Sequence, residues 1–286
     1  MVGTRHLWRG CGVNYFSTIN FVIGKFSQRE WLVIQPMCSS LNATVNENIM
    51  EFYLILRAMK RSLARNITAI IPYYGYARQD RKMEGGETIS ASDVAQLLET
   101  AGADNVICVD LHCGQIQGFF HKTAIENLSA VSLFADHMAK KQDLKNVVVV
   151  SPDAGGVDRA KNFIEELNRH NIKSQLAIII KQRAEAGVVD KMNIVGNVKD
   201  CDVIIIDDIC DTGGTLVKAA AELKNNGAKR VFACITHPVL SNDATKKIEK
   251  SDLTELIVTN TIPIKKDLPK NMTQISISPL IAEAIK

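Results

Sequence analysis

Asp207 and Asp208 stand side by side after an apolar run, and a turn of small residues follows them. The turn consists of Asp211, Thr212, Gly213, Gly214 and Thr215. Glycines let the backbone approach an anion, while turn N–H groups and the dipole of a following helix favour phosphate. Because carboxylates repel phosphate, the two acids fit sugar hydroxyls or a divalent cation instead. The pattern predicts a sugar-phosphate site; the alternative is an ordinary strand–turn–helix connection.

Three further positions carry residues that suit a polyphosphate. Arg78 and Gln79 follow IIPYYGYA, and a guanidinium fork beside an amide can bind phosphate or a base. His112 follows VICVDL, and Asp153 precedes a glycine pair after VVVVSP. Both residues suit a cation or the phosphate that the cation accompanies. Each of these loops, taken alone, is also consistent with a solvated surface turn.

Lys181 and Arg183 follow LAIII two residues apart, so on an extended segment both side chains point the same way. Such a pair suits a phosphoryl group whose charge redistributes in the transition state, although a salt-bridged surface strand has the same pattern. The polar, glycine-containing segment AEAGVVDKMN predicts a mobile loop. Together, the loops favour a magnesium-dependent enzyme that acts on a sugar phosphate and a second polyphosphate.

The loops belong to a regular alternation of strands and helices that begins near Asn46. We predict a helix capped by Asn46 over NENIMEFYLILRAMKRSLAR, and further helices at SASDVAQLLETAGA and LVKAAAELKNNGA. The predicted strands are NITAIIPYY, NVICVDL, NVVVV, SQLAIII, VIII, RVFACIT and ELIVT. This alternation predicts parallel sheets covered by helices, and ligands of such sheets bind beyond the carboxyl ends of the strands.

Two parts of the chain match each other at a constant spacing. ASDVAQLLETAGADNVICVDLH resembles LVKAAAELKNNGAKRVFACITH, and Gly102 and Gly227 within them are 125 residues apart. The loop GYARQDRK then takes roughly the place of the phosphate turn. We therefore predict an α/β protein of two similar domains, residues 1–130 and 131–286, with the last helix a candidate for packing back on the first. Because few identities support the match, convergent helix–strand patterning stays open.

The composition excludes several classes of protein. The 286 residues are 46% apolar and 23% charged, which allows a substantial core, and the net charge of +3 does not indicate nucleic-acid binding. No apolar run approaches the ~18 residues of a membrane span. Seven cysteines without paired spacing indicate a reduced, cytoplasmic setting. The first 29 residues contain Arg and Lys but no acid, so organelle import stays open beside an atypical start.

Common nucleotide-binding motifs are missing from the sequence. There is no GxxxxGK[ST] phosphate loop, and GGVDRA after Asp153 does not match a dinucleotide fingerprint. No nucleophile set of the Ser/His/Asp or Cys/His type can be argued from spacing. We therefore expect any nucleotide to bind in an unusual site.

VIIIDDICDTGGT resembles the phosphoribosyl-binding signature of the type I phosphoribosyltransferase fold. IPYYGYARQDRK, DLHCGQIQGFF, VVSPDAGG, MNIVGNV and CITHPVLS together are similar to the ribose-phosphate pyrophosphokinase (phosphoribosyl pyrophosphate synthetase) family. The similarity runs from about Asn46 to the C-terminus, and the set of motifs is far more specific than any one of them. The resemblance implies two phosphoribosyltransferase-like domains.

The resemblance also implies a reaction. The diphosphoryl group of ATP would pass to the 1-hydroxyl of ribose 5-phosphate, with Mg²⁺, giving AMP and 5-phosphoribosyl 1-diphosphate for nucleotide biosynthesis. By motif position, ribose 5-phosphate would be bound by Asp207, Asp208, Asp211, Thr212, Gly213, Gly214 and Thr215. ATP would be bound by Phe26, Gln28, Glu30, Arg78 and Gln79, the metal by His112 and Asp153, and catalysis would rest on Lys181 and Arg183. The resemblance further implies a homo-oligomer, a hexamer built from dimers, without nucleic-acid or membrane partners.

The match departs from the family pattern in three places. The family's Phe-Ser-Asp/Asn-x-Glu segment, whose Phe stacks on adenine across a subunit contact, has its nearest match at Phe26–Glu30, and the longer hairpin before WLVIQ is missing. An Arg of the family's phosphate/ADP regulatory site falls near Gly86. The chain stops at Lys286, short of the family's usual C-terminal segment. Adenine binding, regulation and assembly are the properties that these departures affect.

Two other functions stay open from the sequence. A phosphoribosyltransferase that consumes the diphosphate would explain DDICDTGGT, but it would not explain the second domain copy or ARQDRK. A non-catalytic subunit that binds nucleotide and regulates an active partner is the other. Such a subunit would be free to lose Lys181, Arg183, His112 and Asp153, and all four are present.

Overall fold

A computed structural model describes residues 21–25, 30–39, 43–141, 143–182, 191–264 and 268–286. These residues form two compact units that divide after Leu128. The first unit also takes in a short segment that begins at Thr261. The C-terminal helix, a candidate above for packing on the first domain, groups with the second unit.

The first unit is built on a five-stranded sheet. Its strands are β1 (Phe21–Lys25), β2 (Glu30–Ile34), β3 (Asn66–Ile71), β4 (Asn105–Val109) and β5 (Ala124–Leu128). They lie in chain order across the sheet, with β1 antiparallel to β2 and the other neighbours parallel. Ala69, Ile70 and Ile71 of β3 are fully buried. A continuous buried run of this kind is typical of a parallel strand covered on both faces.

Two helices and a 3₁₀ helix pack on this sheet. They are α1 (Val45–Arg61), α2 (Ser90–Ala101) and the 3₁₀ helix Gly114–Phe119. Phe52 and Leu56 of α1 and Leu98 of α2 lie in one apolar core with Ile67 of β3. Their spacing along each helix turns one apolar face toward the sheet.

Helix α1 begins at a capping box. The Thr44 hydroxyl accepts the N–H of Glu47, and the Glu47 carboxylate accepts the N–H of Thr44. This arrangement satisfies two N–H groups that a helix start leaves without partners. The predicted cap at Asn46 is therefore wrong. Asn46 lies in the first turn, where its side chain accepts a hydrogen bond from the Tyr76 hydroxyl.

The second unit is built on a seven-stranded sheet. Its strands are β6 (Val147–Ser151), β7 (Ser174–Gln182), β8 (Lys191–Val195), β9 (Asp202–Cys210), β10 (Arg230–Pro238), β11 (Glu255–Thr259) and β12 (Met272–Ile275). The order across the sheet is β12-β11-β10-β9-β6-β7-β8, and β8 alone is antiparallel to its neighbour. The helices are α3 (Val131–Ala139), α4 (Val157–Arg169), α5 (Gly214–Asn225), α6 (Ala244–Glu249) and α7 (Ser278–Ala284).

The predicted α/β fold with parallel sheets and flanking helices is confirmed, with strands added at the sheet edges. The apolar pattern did not predict the four edge strands, β1, β5, β8 and β12. It also did not predict β2, which pairs with β1. Part of the predicted loop AEAGVVDKMN is strand, because β8 pairs with β7 through Lys181 opposite Met192. β5 has no fully buried residue, so it lacks the continuous apolar run that identified the central strands.

The matched segments fold in the same way in the two units. β4 pairs in parallel with β3, and β10 pairs in parallel with β9, each after an intervening helix. Gly102 directly follows α2 and Gly227 follows α5 by two residues, and their φ angles are 102° and 89°. In both, the next residue donates its N–H back into the last turn, Ala103 to Leu98 and Ala228 to Leu223. A left-handed residue at this position is a common helix end, and glycine adopts it without strain.

Two findings concern the described residues of both units. Among the described residues, no helix is both long enough and apolar enough to cross a membrane. The six cysteines in the described part of the chain form no disulfide.

Candidate functional site

The acid pair of the second unit lies within β9. Asp208 is buried and Asp207 is partly exposed, and the strand continues past both to Cys210. Arg159, from the first turn of α4, places its Nη1 3.3 Å from Asp207 Oδ1 and 3.4 Å from Asp208 Oδ1. One guanidinium therefore faces two neighbouring carboxylates.

The electrostatics of the pair favour a further cation. Burial raises the pKa of Asp207 to about 8, the charge of Asp208 adds to this, and Arg159 offsets only part of it. Two carboxylates under mutual repulsion supply hard oxygen ligands, which fits a divalent ion such as Mg²⁺. No cluster of three or more His, Cys, Asp or Glu side chains suited to a metal occurs within the described residues.

Arg159 was not predicted as a site residue. It belongs to GGVDRA, which we considered only as a dinucleotide fingerprint. The signal that could have identified it is a cation in the first helical turn after a glycine pair, since β6 neighbours β9 in the sheet. A side chain at that point reaches the end of the adjacent strand.

The phosphate turn joins β9 to α5 in three residues. Gly213 has a φ of 70° and precedes the first residue of α5, and the N–H of Val217 donates to its carbonyl at 2.9 Å. Thr212 and Thr215 are exposed on either side of it. This geometry leaves the N–H groups at the start of α5 without helical partners, as an anion site requires.

Asp211 is held by a neighbouring segment. Its carboxylate accepts the Ser241 hydroxyl, and its carbonyl accepts the Ser241 N–H at 3.1 Å. The Asp211 side chain is thus part of the turn's own framework, in addition to the predicted contact with the 5-phosphate. Burial raises the pKa of the neighbouring Cys210 thiol to about 12, so that thiol is an inert packing group.

The turn after β6 lies beside β9, because β6 and β9 are paired in parallel. Asp153 is exposed, and its Oδ1 accepts the N–H of Gly156 at 2.9 Å. The Ser151 hydroxyl donates to the Asp153 carbonyl at 2.7 Å. A Cβ at Gly156 would lie 2.8 Å from Ser151 Oγ, so a larger residue there would displace the Ser151 hydroxyl from its bond to Asp153. The predicted residue Asp153 is therefore in the same unit as the acid pair.

In the first unit, the loop after β3 carries the predicted ATP residues. Arg78 and Gln79 are exposed. The backbone of Gln79 is fixed at both groups, since its N–H donates to Tyr76 and its carbonyl accepts the N–H of Ala91 at the start of α2. A Cβ at Gly75 would lie 2.9 Å from the Met37 carbonyl oxygen, so the entry to the loop requires glycine.

Asp80 connects this loop to the segment after β4. Its Oδ2 accepts Gln115 Nε2 at 2.7 Å and Cys113 Sγ at 3.1 Å. Burial, with the hydrogen bond to Asp80, raises the pKa of Cys113 to about 12. His112 is exposed next to this contact. The structure thus brings together the ARQD and DLHCGQ motifs, which sequence spacing placed on separate loops.

Some of the remaining predicted residues lie within the described ranges and others lie outside them. Phe26, Gln28 and Arg183 lie outside the described residues. Lys181 lies in β7, and Glu30 is exposed in β2 opposite Lys25. The predicted metal ligands fall in different units, His112 in the first and Asp153 in the second.

Comparisons with known proteins match both ends of the chain to one family. A family model described as the N-terminal domain of ribose phosphate pyrophosphokinase matches residues 22–102. A model described as a phosphoribosyl synthetase-associated domain matches residues 170–286. Together the two models cover more than half of the chain.

Curated relatives and a solved structure agree with these models. The ribose-phosphate pyrophosphokinase of Wolinella succinogenes is 46% identical over 277 residues, which cover 96% of this chain and 86% of the relative. That of Bacillus caldolyticus is 49% identical over 248 residues, or 86% of this chain and 76% of the relative. The crystal structure of phosphoribosylpyrophosphate synthetase from Mycobacterium smegmatis superposes with a TM-score of 0.79 at 37% identity, covering 94% and 89% of the two chains.

Proposed function

The chain belongs to the ribose-phosphate pyrophosphokinase family, and from this premise we propose how its residues share the reaction. The protein is an enzyme that transfers a diphosphoryl group from ATP to the 1-hydroxyl of ribose 5-phosphate. The hydroxyl oxygen forms a bond to the β-phosphorus, and the bond from that phosphorus to the α–β bridging oxygen breaks. AMP leaves with the bridging oxygen, and the hydroxyl proton is lost.

One observation carries the assignment of the acceptor site. The acid pair, with its single shared guanidinium, stands three residues before a turn whose Gly213 is left-handed. We propose that the turn, Asp211 to Thr215, binds the 5-phosphate through N–H groups and hydroxyls. Asp207 and Asp208 then face the ribose hydroxyls, which places the 1-hydroxyl for attack. Positioning of this kind accounts for much of phosphoryl-transfer catalysis.

The nucleotide residues are assigned to the other loops. We propose that the exposed Arg78 and Gln79 bind ATP, and that Phe26, Gln28 and Glu30 contribute to adenine binding. His112 and Asp153 would hold Mg²⁺ with the triphosphate, and the acid pair would hold it with ribose. Bound Mg²⁺ would neutralise charge on the transferring and leaving phosphates. Lys181 and Arg183 would neutralise the diphosphoryl group as its charge redistributes.

The test is to mix the purified protein with ATP, Mg²⁺ and ribose 5-phosphate and to follow products by ³¹P NMR. We expect AMP and 5-phosphoribosyl 1-diphosphate in equal amounts, and no AMP when ribose 5-phosphate is omitted. ADP as the product would contradict diphosphoryl transfer. Folded protein that binds ATP but forms no AMP would support the alternative of a regulatory subunit.

Lys181→Ala tests the assignment of the catalytic cations. We expect turnover to fall by about two to four orders of magnitude, because an electrostatic contact made in the transition state is lost. The affinity for ribose 5-phosphate, measured by calorimetry, should change little. An unaltered rate would remove Lys181 from the mechanism.

Two further properties are proposals that follow from the family. We propose a homo-oligomer, which light scattering after size exclusion would detect as a mass that is a multiple of 31.5 kDa. We also propose a cytoplasmic location, because seven cysteines without paired spacing suit a reducing compartment.

A further inference from the structure

A segment after β10 is built onto one side of the phosphate turn. The N–H of Leu240 donates to the Cys210 carbonyl at 3.0 Å, and the N–H of Ser241 donates to the Asp211 carbonyl at 3.1 Å. The Ser241 hydroxyl also donates to the Asp211 carboxylate. These bonds fix the path of residues 240–247 against the turn.

The turn has an unbalanced charge for a phosphate site. Asp207, Asp208 and Asp211 all lie at its entrance, and Thr212–Thr215 contribute no cation. Arg159 is already paired with the first two acids. A sugar phosphate brings close to two further negative charges. The start of α5 offers roughly half a positive charge, so a side-chain cation beside the turn would strengthen the binding of a phosphate dianion.

Lys247 places a cation at this position. Its Nζ lies 3.4 Å from the carbonyl oxygen of Thr212, and the residue is exposed. A contact of this length to a neutral carbonyl is weak. The ammonium can therefore exchange it for a phosphate oxygen at little cost. Lys246, the next residue back, is instead ion-paired with Asp243 at 3.0 Å.

We propose that Lys247 binds the 5-phosphate and makes the enzyme select a phosphorylated over an unphosphorylated pentose. Lys247 is a specificity residue contributed by the segment after β10, outside the DTGGT turn. This proposal rests on the proposed function, in which the turn receives the 5-phosphate. It adds a residue that neither the signature nor its spacing identifies.

Lys247→Gln is the test, with Lys246→Gln as the matched control. We expect Lys247→Gln to raise KM for ribose 5-phosphate about 5- to 20-fold and to leave kcat within about twofold, since an exposed charge-assisted contact is lost from ground and transition states alike. Lys246→Gln removes the same charge one residue away and should change KM less than about twofold. Lys247→Arg should restore most of the affinity.

A second measurement separates phosphate binding from a general loss of charge or structure. Calorimetric Kd values for ribose 5-phosphate and for ribose give a selectivity ratio, which Lys247→Gln should lower while leaving the Kd for ribose unchanged. Equal losses for both sugars, an unchanged KM, or a matching effect of Lys246→Gln would overturn the proposal. If the wild-type protein forms no AMP, the proposed reaction fails, and the calorimetric ratio still decides the role of Lys247.

Discussion

Residues 72–89 join β3 to α2 in the first unit, and residues 211–213 join β9 to α5 in the second. Both connections follow a buried strand, lead into a helix of 12 residues and return to a parallel neighbouring strand. The two strand–helix–strand units also share a left-handed glycine after the helix, Gly102 in the first and Gly227 in the second. The candidate site residues differ. The first connection contains Arg78 and Gln79, and the second follows the acids Asp207 and Asp208.

The two connections differ in whether the candidate site residues lie on the strand or in an exposed loop. The short turn keeps Asp207 and Asp208 on the strand, where Arg159 holds both. The long loop exposes Arg78 and Gln79 to solvent, with the backbone fixed only at a few points. A rigid, charged strand end suits precise positioning of a small acceptor. An exposed loop suits a larger ligand that must enter and leave in each turnover.

The largest loss of activity should follow the removal of a carboxylate charge, and the loss should be larger beside the phosphate turn than in the loop after β3. Asp208→Asn is expected to lower kcat/KM for AMP formation about 100- to 1,000-fold, because under the proposed function it removes a fixed charge at the ribose site without changing packing. Asp80→Asn in the first unit should cost about tenfold or less, since Asn can still accept the hydrogen bond from Gln115. Initial rates measure both.

Circular dichroism spectra that match the wild type would show that both variants fold. Equal losses of activity in Asp208→Asn and Asp80→Asn would contradict the distinction, because they would make the first loop as much a part of the reacting centre as the acid pair.

Each unit has an Asp at the amino-terminal end of a strand, Asp202 at β9 and Asp104 before β4, and the two should contribute differently to the free energy of unfolding. Asp202 is buried and accepts Arg230 Nε and Nη2 at 2.8 and 2.7 Å and the N–H of Lys145 at 2.7 Å. Asp104, which accepts Lys60 Nζ at 2.7 Å, is 37% exposed. Asp202→Ala should lower the free energy of unfolding by about 3 kcal/mol, and Asp104→Ala by about 1 kcal/mol. Urea unfolding followed by circular dichroism measures the difference.

The Asp202 contribution should depend on pH. Burial acts to raise the pKa of Asp202, but the hydrogen bonds from Arg230 and Lys145 outweigh it and hold the pKa below 3.8. Because the folded-state pKa lies below the unfolded value, the carboxylate stabilises the fold above about pH 4 and loses this contribution as the pH falls. The stability gap between wild type and Asp202→Asn should therefore shrink below pH 4. A gap that stays constant down to pH 2 would contradict the ion pair.

The central fold could be predicted because burial on both faces leaves a continuous apolar run, as in Val203–Ile206 and Val147–Val150. The edge strand β5, AIENL, has no fully buried residue and so no such run. The start of α1 was misplaced for a different reason. Asn46 and Thr44 both favour caps, and only the reciprocal bond with Glu47 decides between them.

The candidate site was predictable where its residues are consecutive, as in Asp207, Asp208 and the turn after them. Arg159 was not, because it contacts Asp207 across 48 positions and depends on where α4 begins. Lys247 was missed for a similar reason, since the segment after β10 folds back on the turn 35 residues earlier. Spacing along a sequence predicts contacts within one connection and cannot predict those that sheet order creates.

The smallest effect tests the two connections through their glycines. Gly213 and Gly86 have φ angles of 70° and 88°. A Cβ at Gly213 would meet its nearest atom at an ordinary 3.6 Å, and one at Gly86 would meet none within 4 Å. Alanine at either position therefore costs backbone strain alone, about 1 kcal/mol in the free energy of unfolding.

Equal strain should have unequal consequences for activity. In Gly213→Ala, the strain is relieved by turning the N–H groups at the start of α5. Because we propose that these groups bind the 5-phosphate, KM for ribose 5-phosphate should rise about fivefold. In Gly86→Ala, the strained residue lies in an exposed loop of the first unit that is not assigned to ribose 5-phosphate, and this KM should not change. Urea unfolding checks that the two costs match, and steady-state kinetics checks that KM differs. If KM rose equally in Gly86→Ala, the effect would reflect lost stability. It would then give no support to binding of ribose 5-phosphate by the turn at Gly213.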